Sequence, residues 1–407
     1  MIRRLTSSIV LLFILFMSYG LLISNYSIQI TPAEISTVPA STNPYYTYRG
    51  ITHVESQYGR GSGSIEKISL AAQSEGIDFV FITDLNQYEE PSYIERKIND
   101  VYMIRGGKYS YVDSHLLVFG GLKDHKFKSP GQSQILMSDL LTQKNRGPDT
   151  MSIHISHPTR PRYEWTGRYP IGLNGLEIFN LKEFWDRKFR EERGHFLWSL
   201  LLYPFNENLF YANIVEPPHK ELALWNKLMT KQNVIGLFGH HATAKAVVLP
   251  SDSGYWEFPK YETFFRTGAN NIVLRSELTG NFERDKAKIL TALKNGNSFL
   301  SLDLIGNASS FFVEVKQKEK SFLIGEEIDL KNRPTKIHYR LPEITSDFEV
   351  QLLKDGELYM SSNQLENNFD INMAGNYRIQ VLVKLDMPFP AKAKSLYWII
   401  TNHFYVK

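Results

Sequence analysis

The stretch Gly76-Ile77-Asp78-Phe79-Val80-Phe81-Ile82-Thr83-Asp84 decides the fold. Its glycine stops a helix, its apolar middle has the length of a buried strand, and its last aspartate marks that strand's carboxyl end. Upstream, Ser64 is placed to cap the helix, with Ile65, Ile68 and Ala72 spaced along one face. Downstream, Val101–Arg105, His115–Phe119, Ser152–Ser156, Leu176–Phe179 and Val234–Phe238 are further short apolar runs separated by amphipathic segments. Lys286–Asn295, closed by Gly296, repeats the helix design. This alternation predicts an α/β barrel over residues 46–305, with its chemistry at the carboxyl ends of the strands. Residues 181–231 form a long, aromatic-rich helical insertion that covers one side.

Residues 306–407 have a different pattern. Phe311–Lys316, Lys336–Leu341, Phe348–Lys354, Asn376–Leu385 and Leu396–Val406 read as strands, joined by turns such as Asp355-Gly356 and Ala374-Gly375. They predict a small all-β sandwich with His338 and His403 on its surface.

Residues 1–24 set the location. Two arginines precede a mostly apolar run from Leu5 to Ile23, which as a helix would be about 28 Å long, close to the thickness of a bilayer's hydrocarbon core. No further Lys or Arg occurs before Arg49, so the positive-inside bias puts the body on the extracytoplasmic side, membrane-anchored. The alternative is a cleaved signal peptide and a secreted or periplasmic body. Val38-Pro39-Ala40 lies too far downstream for its cleavage site, so an anchor is favoured. Residues 25–45, rich in Ser, Thr and Pro, read as a linker.

The 407 residues, at roughly 150 per domain, allow two or three domains. Hydrophobic residues at 43% and charged ones at 22% exclude disorder and a polytopic membrane protein. A net charge of +3 is too even to point to nucleic acid. With no cysteine, disulfides, thiolate zinc sites, iron–sulfur clusters and a cysteine nucleophile are excluded. A bound metal must use His, Asp, Glu, a modified Lys or water.

Polar residues gather at the predicted strand ends. His53 and Glu55, two apart, face the same side of an extended strand. Asp84, Lys108, His115, His157 and the pair His240-His241 lie at other strand ends, and alternation lets at most one of that pair point inward. Ligands converging from separate strands are what a metal-assisted hydrolase needs.

The run from Arg49 through His53-Val-Glu55 to Ser64, followed by Gly76 to Asn86, resembles the start of the PHP (polymerase and histidinol phosphatase) family. It is most similar to an exported bacterial branch with a C-terminal β-sandwich. His115-Leu-Leu-Val-Phe-Gly120, Ser156-His157-Pro158, Gly175-Leu-Glu-Ile-Phe-Asn180, Phe238-Gly-His-His-Ala-Thr243 and Tyr397-Trp-Ile-Ile-Thr-Asn402 agree in order. The resemblance implies a distorted (βα)7 barrel and a two- or three-metal phosphoesterase site.

Against that family's ligand pattern the sequence departs. His53, His115 and His157 match ligand positions. Glu55 stands at the second histidine, Arg60 in the Ser-Asp-Gly position, Leu85 at the histidine of Thr-Asp-His and Lys108 at the bridging glutamate. His241 falls at an aspartate and Thr243 at a histidine. The resemblance thus implies loss of one metal. It leaves His53, Glu55 and His241 for a first ion, and His115 and His157 for a second, with zinc, manganese or iron suited to such a set.

Lys108 divides the readings. As an ammonium held by Glu55, with Asp84 nearby, it takes the cation's place and no metal binds. As a carboxylated lysine it bridges two metals. In the third reading it orients substrate beside a mononuclear site, with Asp84 and Lys108 as catalytic groups. Arg60, Arg160 and Arg162 suit an anion pocket or a solvated rim. The aromatics Trp165, Phe184, Trp185, Trp198, Tyr203 and Trp225 suit packing of the insertion better than a sugar or lipid platform. Two function classes follow: a divergent phosphoesterase, or a non-catalytic envelope protein that binds an anionic small molecule or another envelope protein through the pocket and the β-sandwich.

Overall fold

The computed structural model describes residues 2–32, 43–85, 94–111, 114–121, 140–142, 144–145, 150–161, 163–165, 169–247, 255–331 and 333–407. Its strands begin with β1 (Tyr46–Val54), β2 (Phe79–Ile82), β3 (Arg96–Ile98), β4 (Val101–Tyr111), β5 (Ser114–Phe119), β6 (Ser152–Ser156), β7 (Gly175–Asn180) and β8 (Ile235–Ala242). They continue with the short β9 (Ala246–Val247) and β10 (Tyr255–Trp256), then β11 (Ala269–Leu274) and β12 (Ser298–Ser301). β2, β5, β6 and β7 are buried along their whole length, as continuous apolar runs require.

The barrel closes differently from the predicted (βα)7 form. The ring runs β1-β2-β4-β5-β6-β7-β8 and back to β1. β4–β5 and β5–β6 pair antiparallel, whereas the other five contacts are parallel. The six apolar runs make six of the seven barrel strands and β1 the seventh, but β4 and β5 pair antiparallel with only two residues between them, too few for a crossover helix. An antiparallel pair needs only a tight turn, so the helical ring expected around a parallel barrel is incomplete. The same pairing extends β4 six residues past Arg105, placing Lys108 inside a strand opposite Leu117.

The C-terminal part corrects a second expectation. Strands 348–354, 357–362, 375–385, 394–401 and 404–406 do not stand apart as a sandwich but continue the barrel's sheet, because strand 394–401 pairs with β12. That pairing covers what would be an open edge. Strands 312–317, 320–322, 335–340 and 366–371 make a separate four-stranded sheet. His403 is not on the surface. Its ring packs edge-on 4.8 Å from Trp225, and its Nε2 lies 3.3 Å from the Arg378 guanidinium.

Helix 65–74 has the expected cap, with the Lys67 amide donating to Ser64 Oγ. Helix 282–295 ends in Gly296 at φ 74°, a left-handed position that suits glycine. The insertion forms helices 181–191, 193–202, 207–214 and 219–229. Its aromatics pack on one another, Trp185 against Phe196 and Phe210, and Trp225 donates its indole hydrogen to Val234 O. The first helix, Ile2–Ser24, includes a segment, Thr6–Ser24, long and apolar enough to cross a membrane.

Candidate metal centre

Three strand ends bring three imidazoles together. His53 closes β1, His157 follows β6, and His241 lies near the end of β8. Their ring centroids are 4.4 Å (His53–His241), 4.7 Å (His157–His241) and 5.2 Å (His53–His157) apart. One nitrogen from each lies within 4.8 Å of the others.

The backbone pays local strain for this convergence. His53, His157 and His241 adopt φ of 65°, 53° and 47°, the left-handed region where a side chain is disfavoured. The cause is visible in the pairing of β1 with β8. Thr52 faces Gly239 and Val54 faces Ala242, so one residue, His53, opposes two, His240 and His241. Such a bulge re-aims side chains. His241 turns toward the trio, and His240 turns away to Gly268 O, 2.7 Å from its Nε2. Only one of the adjacent pair faces inward, as alternation requires.

Glu177, in the middle of β7, organises the cluster and was not singled out from the sequence. Its Oε1 lies 2.6 Å from His53 Nδ1. Its Oε2 accepts from Ser156 Oγ and the His157 amide, both at 3.0 Å. A carboxylate on one ring nitrogen fixes the tautomer and aims the other nitrogen, here His53 Nε2, at a ligand. Gly239 makes room for it, since a Cβ there would come 2.1 Å from Glu177 Oε1. The available signal was a single charge inside an otherwise apolar strand.

Among the described residues, His53 Nε2, both ring nitrogens of His157 and His241 Nδ1 are buried without a hydrogen-bond partner. Burial above all, and neighbouring positive groups after it, lower the pKa of all three imidazoles, so they are neutral and can donate lone pairs. Three neutral imidazoles whose nitrogens converge, with partnerless nitrogens among them and one carboxylate behind, fit a divalent cation and leave a fourth position open.

The other predicted residues are distributed around this trio. Glu55 is not grouped with the three imidazoles, but its Oε1 lies 3.2 Å from His241 Nε2. Its Oε1 accepts from Lys108 Nζ at 2.7 Å and its Oε2 from the Arg60 amide at 3.2 Å. Burial favours a protonated Glu55, but Lys108 outweighs this and holds its pKa below the usual carboxylate range. Burial lowers the Lys108 pKa, and Glu55 partly restores it. Lys108 Nζ also lies 3.1 Å from His241 Nε2, so the ion pair abuts the trio.

His115 stands further out, its ring 6.0 Å from His157 and stacked 5.4 Å from Tyr163. Its pKa is pushed down to about 3 by burial and by Lys108. Asp84 faces Ser56, accepting the amide and hydroxyl of that residue at 2.6 Å each, and burial raises its pKa to about 6. Arg60 is exposed. Arg160 pairs with Asp186 and lies 4.4 Å over the Tyr163 ring. Arg162 lies outside the described residues. Beyond His157, Thr159 Oγ1 sits between the carboxylates of Glu183 and Glu221, which Arg187 joins at 3.2 and 3.0 Å. That cluster ties the His157 loop to the insertion.

No family model matches the chain, and no curated protein matches it. Among solved structures it is similar to a two-domain protein containing a predicted PHP-like metal-dependent phosphoesterase from Bacteroides vulgatus. Identity is 9%, coverage 91% of this chain and 98% of that one, and the TM-score 0.39. PsfC from Pseudomonas syringae matches at 10% identity over 61% of this chain and 96% of its own, with a TM-score of 0.34. A candidate metal-dependent phosphoesterase from Bifidobacterium adolescentis matches at 11% identity over 51% and 92%, with a TM-score of 0.29.

Proposed function

We propose that this chain is a metal-dependent hydrolase of the phosphoester class, built on one divalent cation held by His53, His157 and His241. The observation that carries the reading is three imidazoles, each offering a nitrogen within 4.8 Å of the others, that include buried nitrogens without partners and are backed by Glu177. A cation bound there supplies Lewis-acid polarisation and a water of lowered pKa. Lys108 supplies the second positive charge that a neighbouring metal would otherwise provide. Glu55 keeps it protonated and oriented, so that its remaining N–H groups can donate to an anionic oxygen of the substrate. A carboxylated Lys108 fits poorly, because it would set a carbamate against the Glu55 carboxylate 2.7 Å from Nζ. The first helix anchors the protein in a membrane, with the body on the extracytoplasmic side.

The buried Lys108–Glu55 pair favours a second reading, a metal-free pocket that binds an anion. One experiment separates the two. Metal content and hydrolysis of p-nitrophenyl phosphate mono- and diesters are measured for the purified protein, His53→Ala and Lys108→Met after growth with zinc, manganese and iron. About one equivalent of metal in the parent, lost in His53→Ala, with Lys108→Met keeping metal but losing hydrolysis, supports the hydrolase. No metal in the parent and a gain in Lys108→Met supports the anion-binding pocket.

A further inference from the structure

The N-terminal helix does not leave the body as a free tether. Its second half is packed onto the helical insertion. Phe16 meets Trp198 and Phe205 edge-on at 6.2 and 5.7 Å, and Tyr19 lies 5.9 Å from Trp198. Gly20 lies so close to Phe205 that a Cβ would come within 2.6 Å of that ring. Asn206 Nδ2 donates to the carbonyls of Ile23 and Tyr26, both at 2.9 Å, and Ile23, Ile28 and Ile30 are buried. Tyr19 Oη donates to Phe389 O in a loop of the C-terminal sheet.

Length turns this packing into a statement about depth. The helix Ile2–Ser24 is about 34 Å long, against a hydrocarbon core of about 30 Å. Residues 2–15, which lie ahead of the packed part, supply only about 21 Å of it. A span therefore needs Phe16–Ile23 as well, and those residues carry Trp198 and Phe205 with them to the depth of one leaflet.

The surface beside that contact has the matching chemistry. On helix 193–202, Leu197 and Leu201 lie four residues apart on one face and are 51% and 57% exposed. Phe189 on the preceding helix is exposed, and Phe389 is 84% exposed on the loop that Tyr19 touches. Arg190, Arg193 and Lys392 flank these apolar groups and are exposed. A cavity of about 560 Å³ between the insertion and the same loop is lined in part by Lys220 and Lys392 together with Glu191, Glu192 and Glu216, two of which pair with Lys188. Its charge is therefore mixed, and the cationic edge rests on Arg190, Arg193 and Lys392. Leucines and phenylalanines edged by cations are what an interfacial, lipid-embedded face presents to an anionic leaflet.

We infer that helix 193–202 and the Phe389 loop form a second membrane contact, dipping into the leaflet beside the anchor and holding the barrel in a fixed orientation on an anionic bilayer. The inference rests on the reading of the first helix as a membrane span. Because the chain has no cysteine, single-cysteine variants of the full chain take one environment-sensitive fluorophore each. Leu12→Cys reports the span, Leu197→Cys and Leu201→Cys the proposed face, and Glu283→Cys the exposed helix 282–295, which packs on β4 and β11. Each is reconstituted into phosphatidylcholine–phosphatidylglycerol vesicles with a quencher attached to the acyl chains. The expected result is quenching of about twofold or more at Leu12, Leu197 and Leu201, and none at Glu283. Quenching at Leu12 without quenching at Leu197 and Leu201 overturns the inference and leaves the anchor intact. Equal quenching at Glu283 also overturns it, since no face is then preferred. No quenching at Leu12 overturns the anchor reading itself.

Discussion

The barrel and the C-terminal sheet both bury polar side chains, and they satisfy them to different degrees. In the sheet, the Arg378 guanidinium lies 4.9 Å over Trp225, donates to Asn226 Oδ1 at 2.6 Å and meets His403 Nε2 at 3.3 Å. With the Gln380 amide turned so that its oxygen faces the guanidinium, Nε and Nη2 are satisfied at 3.0 and 3.1 Å. In the barrel, three imidazoles converge on strained backbone and leave four ring nitrogens without partners. A saturated buried charge ties elements together, whereas an unsaturated group invites a ligand. Convergence adds to the difference: three imidazoles offer nitrogens within 4.8 Å of one another in the barrel, a group that could hold a metal ion, whereas beside Arg378 only His403 Nδ1 is left without a partner among the described residues.

The sharpest way to break that comparison is His157→Ala. Metal content should fall from about one equivalent to background, a loss of affinity of at least about 100-fold, and the metal-free protein should lose about 2 kcal/mol of unfolding stability to the cavity left by the buried ring. Atomic absorption and urea denaturation check the two halves. Arg378→Met should separate the two. It should cost about 3 kcal/mol by leaving Asn226, Gln380 and His403 without their partner, and should leave metal content unchanged.

Asp84 sharpens the comparison through pH. Its folded pKa of about 6 lies above the ordinary value of 3.8, so the folded state prefers the protonated acid. The stabilisation it gives is complete below about pH 4 and is lost as pH rises through about 6, on the order of 2–3 kcal/mol in all. Denaturation across that window should therefore show Asp84→Asn without this decline. Glu177→Gln, which keeps the shape but removes the charge behind His53, should weaken metal about 10- to 100-fold in competition titration. The smallest effect is expected at Ser64→Ala, where loss of the helix cap costs about 1 kcal/mol in thermal unfolding and nothing in metal binding.

The barrel's strands were legible in the sequence because burial on both faces writes a continuous apolar run. Their directions were not, since the sequence between Tyr111 and Ser114, Val112-Asp113, has no glycine or proline to announce a hairpin. That His53, His157 and His241 lie at strand ends was legible in the sequence, but their grouping was not, since the ligand pattern placed His157 with His115 and set Glu55 beside His53 and His241. Glu55 carried the same signal at the same strand end, yet it pairs with Lys108, which arrives on a strand fifty residues later. Glu177 depends on the missing Cβ of Gly239, and the burial of His403 depends on Trp225 from the distant insertion. Contacts of that kind belong to the assembled fold and leave no local pattern.

The left-handed histidines bear on how this protein can change. Each stands where glycine or asparagine would sit more easily, at a cost on the order of 1 kcal/mol per position. Relief of that strain alone would favour discarding them, beginning with His157, whose ring makes no protein hydrogen bond. Screening metal-free variants for heat resistance should therefore enrich glycine or asparagine at these three positions. The left-handed conformations thus set a folding cost against the metal-binding role proposed for the same three residues.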